Sequence, residues 1–160
     1  FTLLIKMSKK SAGILLYRVK DLDLEFFLVH PGGPFWAKKD AGAWSIPKGE
    51  FDDNENPLEA AKREFKEEIG KEITVDLIPL TPQKQKSGKV IHAFAGNQDL
   101  EEKNISSNTF NLEWPPKSGK IMEFPEIDKG DWFDVNTAKE KLNKAQVSFI
   151  DELLGRLDFH

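Results

Sequence analysis

The sequence predicts a single α/β domain, and three observations carry that expectation. β-Rich runs stand both before and after one strongly bounded helix; the helix has a single apolar stripe; and the chain closes on a second amphipathic helix. At 160 residues, 39% apolar and 31% charged, the chain has the composition of an ordinary globular domain that buries a sizeable core. Its net charge of −4 gives no general attraction to nucleic acid, and no nucleic-acid partner is expected. No apolar run is long enough to span a membrane, so no membrane association is expected either. The absence of cysteine excludes disulfides and thiolate sites, and agrees with a cytoplasmic protein. Residues 1–10 read as an extension or strand lead-in before a domain spanning 11–160. Met7 reads as a natural start, and FTLLIK as an upstream extension or a non-native remnant.

Ser11 to Val19 and Leu24 to His30 are β-rich runs around the polar KDLD, a hairpin or a pair of adjacent strands. His30, with no second histidine near it, reads as a structural strand-end residue. Pro31 to Ala43 is a loop by its glycines and prolines. Its Phe35, Trp36, Lys38 and Lys39 either stack a base and hold phosphates or cover a core edge. Trp44 to Gly49, WSIPKG, leads from that loop toward the helix; a resemblance given below would put Trp44 in a short strand.

The helix is predicted over Pro57 to Ile69. Asn56 suits the cap, Pro57 the first helical position, Glu59 the capping-box spacing and Gly70 the C-terminal stop. Leu58, Ala61, Phe65 and Ile69 form the stripe facing a core. Beside it Glu64, Glu67 and Glu68 lie three and four residues apart and repel one another. Such crowding asks for a cation, and carboxylate oxygens suit Mg²⁺ or Mn²⁺ better than zinc.

Ile73 to Leu80 and Lys89 to Ala95 are further strand candidates around the polar TPQKQKSG, with His92 in a packing role. Gly96 to Lys120 reads as a long polar loop in which Glu113, Trp114, Lys117 and Lys120 either close over a substrate or anchor a surface. Ile121 to Glu126 and Asp131 to Val135 read as late strands of the same sheet. Asn136 or Thr137 can cap a helix to about Leu142, and Ala145 to Leu157 has the stripe of a closing helix.

One stretch is more specific than the rest. Gly49, Glu55, Arg63, Glu64, an apolar residue at Phe65, Glu67, Glu68 and Gly70 stand at the spacing of the Nudix box, and a chance match at one start is on the order of 10⁻⁸. The chain therefore resembles the Nudix hydrolase family. Its one departure is Lys71, where an apolar residue is usual and for which Ile73 can substitute. The resemblance implies an α/β/α sandwich with a mixed β-sheet between helices. It also implies a Mg²⁺-dependent pyrophosphohydrolase with a small-molecule nucleotide or polyphosphate substrate. Glu64, Glu67, Glu68 and the Gly49 carbonyl would be the metal ligands, with Arg63 and Glu55 holding the acids and Gly70 ending the helix. The proton acceptor would be a box glutamate, Glu67 or Glu68, or a later one, Glu123 or Glu126.

The W-x-x-P-K-G lead-in is similar to that of members acting on nucleoside triphosphates and dinucleoside polyphosphates. It puts Lys48 near the phosphates and leaves Trp44 open between substrate contact and packing; the loops before and after the box add Trp36, Trp114 and Lys117 as candidate substrate contacts. The first expectation is a nucleoside triphosphate, oxidised or not, cleaved to monophosphate and pyrophosphate. The alternatives are a dinucleoside polyphosphate hydrolase and a non-catalytic nucleotide-binding module. Family members are often dimers, but no segment identifies an interface.

Overall fold

The computed structural model describes residues 9–157; residues 1–8, most of the expected N-terminal extension, lie outside them. Strand β1 (Lys10–Lys20) is the centre of a seven-stranded mixed sheet. Its far half pairs antiparallel with β2 (Asp23–Pro31), and its near half with β3 (Lys48–Phe51). Helix α1 (Pro57–Ile69) follows. The short β4 (Ile78–Pro79) and β5 (Gln83–Lys84) then lie antiparallel to β6 (Val90–Asn97), which itself runs parallel to β1.

A central strand with helices over both faces must be apolar on both sides, and β1 is buried from Ser11 to Tyr17. Ala12, Ile14 and Leu16 face α1 and pack with Ala60, Ala61, Phe65 and Ile69. Leu15 and Tyr17 face the other way, into a core shared with Phe149, Ile150 and Leu153. Those three belong to α3 (Val147–Leu157), which closes the second face together with α2 (Val135–Lys141). The sandwich expected from the sequence is the fold observed.

Helix α1 has the predicted bounds. The Asn56 side chain accepts from the Leu58 and Glu59 N–H groups, and Gly70 stops the helix at φ 80°, where a side chain would be strained.

Six expectations need correction. The strand over Ile73 to Leu80 reduces to Ile78–Pro79, because the Gln98 side chain takes the backbone groups that a ladder would use: its amide donates to the Glu72 carbonyl and accepts from Thr74 N–H. Gly96 to Lys120 is not one long loop, since β7 (Thr109–Glu113) lies inside it. Strand β8 (Ile121–Pro125) pairs with β7 in a separate two-stranded hairpin, so it is no part of the main sheet. The edge beside β2 is taken instead by β9 (Ile127–Asp134), four residues earlier than the expected start, and Asp134 rather than Asn136 or Thr137 caps α2. Trp44 lies in isolated bridge pairing rather than a strand.

Candidate active site

Glycine at position 49 is demanded by geometry. Strand β3 passes so close to α1 that a Cβ there would fall 1.8 Å from Glu64 Oε1. One residue earlier, the Lys48 backbone N–H donates to Glu68 Oε2 at 3.0 Å, so two acids of the last helical turns are held against the start of β3. Arg63 braces the cluster from outside. Its Nε and Nη2 grip the Glu55 carboxylate at 2.7 and 2.9 Å, and Nη1 reaches Glu64 at 2.6 Å and Glu67 at 3.3 Å. The hydrogen bonds from Arg63 hold the Glu55 carboxyl below its ordinary range, the behaviour of a structural ion pair.

Glu68 faces a cleft of about 160 Å³ lined by Val29, Pro31, Ser45, Ile46, Lys48, Glu126 and Ile127. Burial, reinforced by Glu64 and weakly by Glu126, pushes its carboxyl up to about 8 against the pull of Lys48. Burial also raises Glu64, outweighing the Arg63 contact, and burial with the charge of Lys89 lowers the Lys48 ammonium. Acids that burial makes costly to ionise, facing one another, are a site that a hard cation would stabilise. The donor chemistry therefore fits Mg²⁺ or Mn²⁺. In the recorded side-chain positions, however, no three acidic or imidazole groups among the described residues converge as a ligand set, because Arg63 Nη1 stands between Glu64 and Glu67.

The two later glutamates part company. A register shift between His30 and Pro31 breaks the β2–β9 ladder, and Gly32 N–H then donates to the Glu126 carbonyl at 2.9 Å, which brings Glu126 to the cleft wall. Glu123 lies on the exposed hairpin, where its carboxylate accepts from Thr109 Oγ1 at 2.8 Å, and it does not line the cleft. Its place as a candidate proton acceptor is corrected accordingly.

Of the expected substrate contacts, only Lys48 lines this cleft. Trp44 is 4% exposed, its ring edge-on to His30 and Phe133 and its Nε1–H donated to Asp40 at 2.7 Å, so its surface is spent on packing. Trp114 closes the β7–β8 hairpin and meets Phe35 at 5.5 Å between ring centroids. Lys117 is in the hairpin turn with φ 63°, and Trp36 lies under Lys39 on the outer loop. His30 and His92 hold structural places, His30 between Asp128 and the Lys39 carbonyl and His92 against Phe51.

Sequence reading missed Gln146. It is 1% exposed; its Oε1 accepts from Ile46 N–H at 2.9 Å and its Nε2 donates to Ser45 Oγ at 3.0 Å, fixing one wall of the cleft. A lone glutamine ahead of an amphipathic helix carries no signal of such a contact.

The sequence profile of the NUDIX domain matches residues 7–153. The chain belongs to the NUDIX family. Among curated proteins, this NUDIX chain is 33% identical to an octanoyltransferase of Myxococcus xanthus over 101 residues, 63% of the chain and 25% of that protein. It is 23% identical to the m7GpppN-mRNA hydrolase of Saccharomyces cerevisiae over 115 residues, 69% of the chain and 10% of that protein. The chain thus spans a quarter or less of the length of these relatives. Among solved structures it is similar to a Caenorhabditis elegans Ap4A hydrolase binary complex, with TM-score 0.66, 20% identity and coverage of 95% of this chain and 99% of that one. It is also similar to the NUDIX domain of Shewanella oneidensis NrtR complexed with ADP ribose, with TM-score 0.64, 14% identity and coverage of 96% and 90%. At these identities the likeness is one of fold. No helix among the described residues is long and apolar enough to cross a membrane.

Proposed function

We propose that this NUDIX domain hydrolyses a diphosphate bond in a nucleotide, with a nucleoside triphosphate cleaved to monophosphate and pyrophosphate as the first candidate. The observation that carries the reading is the cleft where Glu68, Glu126 and Lys48 meet. Its volume of about 160 Å³ is below the ~300–1,000 Å³ of sites that enclose a whole ligand, which suits a place for the reacting phosphates with the rest of the substrate outside. Glu64, Glu67, Glu68 and the Gly49 carbonyl would hold Mg²⁺, or Mn²⁺, which when bound neutralises phosphate charge. Lys48 offers a cationic contact to a phosphate oxygen, and Arg63 with Glu55 keeps Glu64 and Glu67 in place. Glu126, at the wall of the cleft, takes the proton of the attacking water; the water oxygen bonds to phosphorus as the bridging P–O bond breaks. Val29, Ile46 and Ile127 make that corner apolar, which strengthens each charge contact.

A dinucleoside polyphosphate is the second candidate, favoured by the likeness in fold to the Ap4A hydrolase over nearly the full length of both chains. A nucleotide-binding module without hydrolysis is the third, and the retention of every acid of the box weighs against it. Hydrolysis of a panel of nucleoside triphosphates, dinucleoside polyphosphates and sugar nucleotides, with Mg²⁺ or with EDTA, tests the reading through its products. Metal-dependent release of monophosphate and pyrophosphate is expected. Tight nucleotide binding with no metal-stimulated cleavage of any panel member would overturn the enzymatic reading in favour of the module.

A further inference from the structure

On the opposite face of the same sheet edge lies a second cleft, of about 370 Å³, whose charge is the reverse of the first. It is lined by Lys38, Lys39, Lys129 and Lys141 against two aspartates, on a protein whose net charge is −4. The aspartates are already engaged. Asp40 pairs with Lys141 and accepts the Trp44 Nε1–H, and Asp131 accepts its neighbour's Trp132 N–H at 2.7 Å. No carboxylate among the described residues stands within ion-pair distance of Lys38, Lys39 or Lys129, so the lining sets four lysines against two aspartates, with Lys129 acting on Asp40 only through space and Lys39 resting over Trp36 at its rim. Like charges gathered this way repel, and an anion is the natural counterpart.

The cleft is built rather than fortuitous. Its floor is the Trp44 and Phe133 rings, packed edge-on at 4.9 Å, with Lys129 5.7 Å over Trp44 and Lys141 5.6 Å over Phe133. The loop that carries Lys38 and Lys39 is tied down by the buried His30, whose Nε2 meets the Lys39 carbonyl at 2.6 Å, and by Gly42 N–H donated to the Glu140 carbonyl at 3.0 Å. The same irregularity that brings Glu126 to the acid cleft serves this one. With Asp128 the extra residue, Ile127 faces the acid cleft and Lys129 the lysine cleft; likewise Ser45 faces the first and Trp44 the second.

We propose that this cleft is a second site, for a multiply charged phosphate anion, separate from the acid cluster. Its ligand has closely spaced phosphates, as an oligophosphate does, which match three lysines around one cavity better than a single carboxylate would. That chemistry has two sources, the far end of a long polyphosphate substrate bound across the sheet edge or a free oligophosphate. The inference does not depend on the function proposed above, because binding here needs neither the divalent cation nor hydrolysis.

The test is calorimetric titration of the full chain with inorganic tripolyphosphate in EDTA, where the cation-free acid cluster repels the probe. Saturable binding is expected, weakened about tenfold or more in Lys39→Ala/Lys129→Ala. The charge-matched Lys86→Ala/Lys103→Ala, on exposed positions elsewhere, should leave it unchanged. No binding to the wild type, or equal weakening in both double variants, overturns the proposal, the second because it means diffuse attraction. Substrate kinetics then separate the sources. A raised KM in Lys39→Ala/Lys129→Ala assigns the site to the far end of the substrate, and an unchanged KM with binding lost assigns it to a free ligand.

Discussion

The box segment from Gly49 to Gly70 and the segment from Thr109 to Glu126 both deliver a glutamate to the acid cleft, and they do so by opposite means. In the box, every placement is local or nearly so. The helix is set by its own cap and stop, Glu64, Glu67 and Glu68 by helical spacing, and their bracing by Arg63 in the same turns. Glu126 depends on partners far along the chain: Gly32 N–H on its carbonyl, the Asn108 carbonyl on its own N–H, and the register shift opposite His30 and Pro31. A local device fixes charge spacing and tolerates little change. A long-range device fixes where one carboxylate arrives, while the hairpin that precedes it stays largely exposed.

The comparison breaks most severely at the box. Glu67→Gln should remove most metal-dependent turnover with little change in folding, since Glu67 is exposed and its contacts to Arg63 are long. Gly49→Ala tests the close approach. A methyl at that position meets the Glu64 carboxylate, the flexible end of a side chain, so the chain folds but Glu64 is displaced. A loss of activity of about 100-fold is expected, the scale for a misplacement of about 1 Å, with a much smaller change in melting temperature. Full activity in either variant would contradict the site.

At the long-range end, Glu126→Gln should lower kcat by about 10²-fold or more if its carboxylate takes the proton, with KM little changed. Glu123→Gln, three residues away but turned onto Thr109, should leave kcat near wild type. Equal losses in the two variants would mean that the hairpin's fold, rather than the Glu126 carboxylate, is what matters.

This contrast also explains what the sequence disclosed. Helix α1, its cap at Asn56 and its stop at Gly70 were legible because capping and the 3.6-residue period act within a few residues. The hairpin β1–β2 and the closing helix were legible for the same reason. Membership of β8 and β9 in one sheet was misread because both are short extended runs; which of them pairs with β2 is decided by the break after Pro125 and the contacts of Gly32, neither visible in periodicity. The lead-in motif left Trp44 open between substrate contact and packing; its partners Asp40 and Phe133, which bury it, come from elsewhere in the chain. Gln146, a hundred residues from Ile46, could be found only in three dimensions.

The electrostatics of the box sharpen the comparison without any substitution. Glu68 holds its proton up to about 8 in the folded protein, and Glu64 is raised too, whereas in the unfolded chain both ionise in the ordinary range near 4.5. Between those limits the folded state binds more protons, so in EDTA stability should fall as pH rises from about 5 to 8, by on the order of 3 kcal/mol. Carboxylates held below their ordinary values, Glu55 and Asp40 among them, lose their contribution only as pH falls below this window, whereas His92, lowered by burial and by the charge of Lys10, opposes the fall over its acid end. A divalent cation held as proposed would bind the ionised acids, so stabilisation by Mg²⁺ should grow over the same range and its binding should release protons. Thermal melts at pH 5.5 and 8, with EDTA or Mg²⁺, give the four values needed; stability that rises with pH in EDTA would contradict the burial argument. In Glu68→Gln the EDTA slope should largely flatten, since the amide has no proton to lose.

The smallest effect belongs to the hairpin. Phe35 and Trp114 are the contact between the outer loop and the β7–β8 turn, an edge-on pair at 5.5 Å and 79°. Phe35 is 60% exposed, so Phe35→Ala removes little buried area, and the cost to stability should be about 0.5–1.5 kcal/mol, the worth of an exposed aromatic pair. Because neither ring lines the acid cleft, kcat should stay near wild type. The informative quantity is KM: a rise of severalfold, matched in Trp114→Ala, would mean that the hairpin reaches the part of the substrate left outside a cleft of about 160 Å³. An unchanged KM in both would leave the hairpin as the long-range support for Glu126 alone.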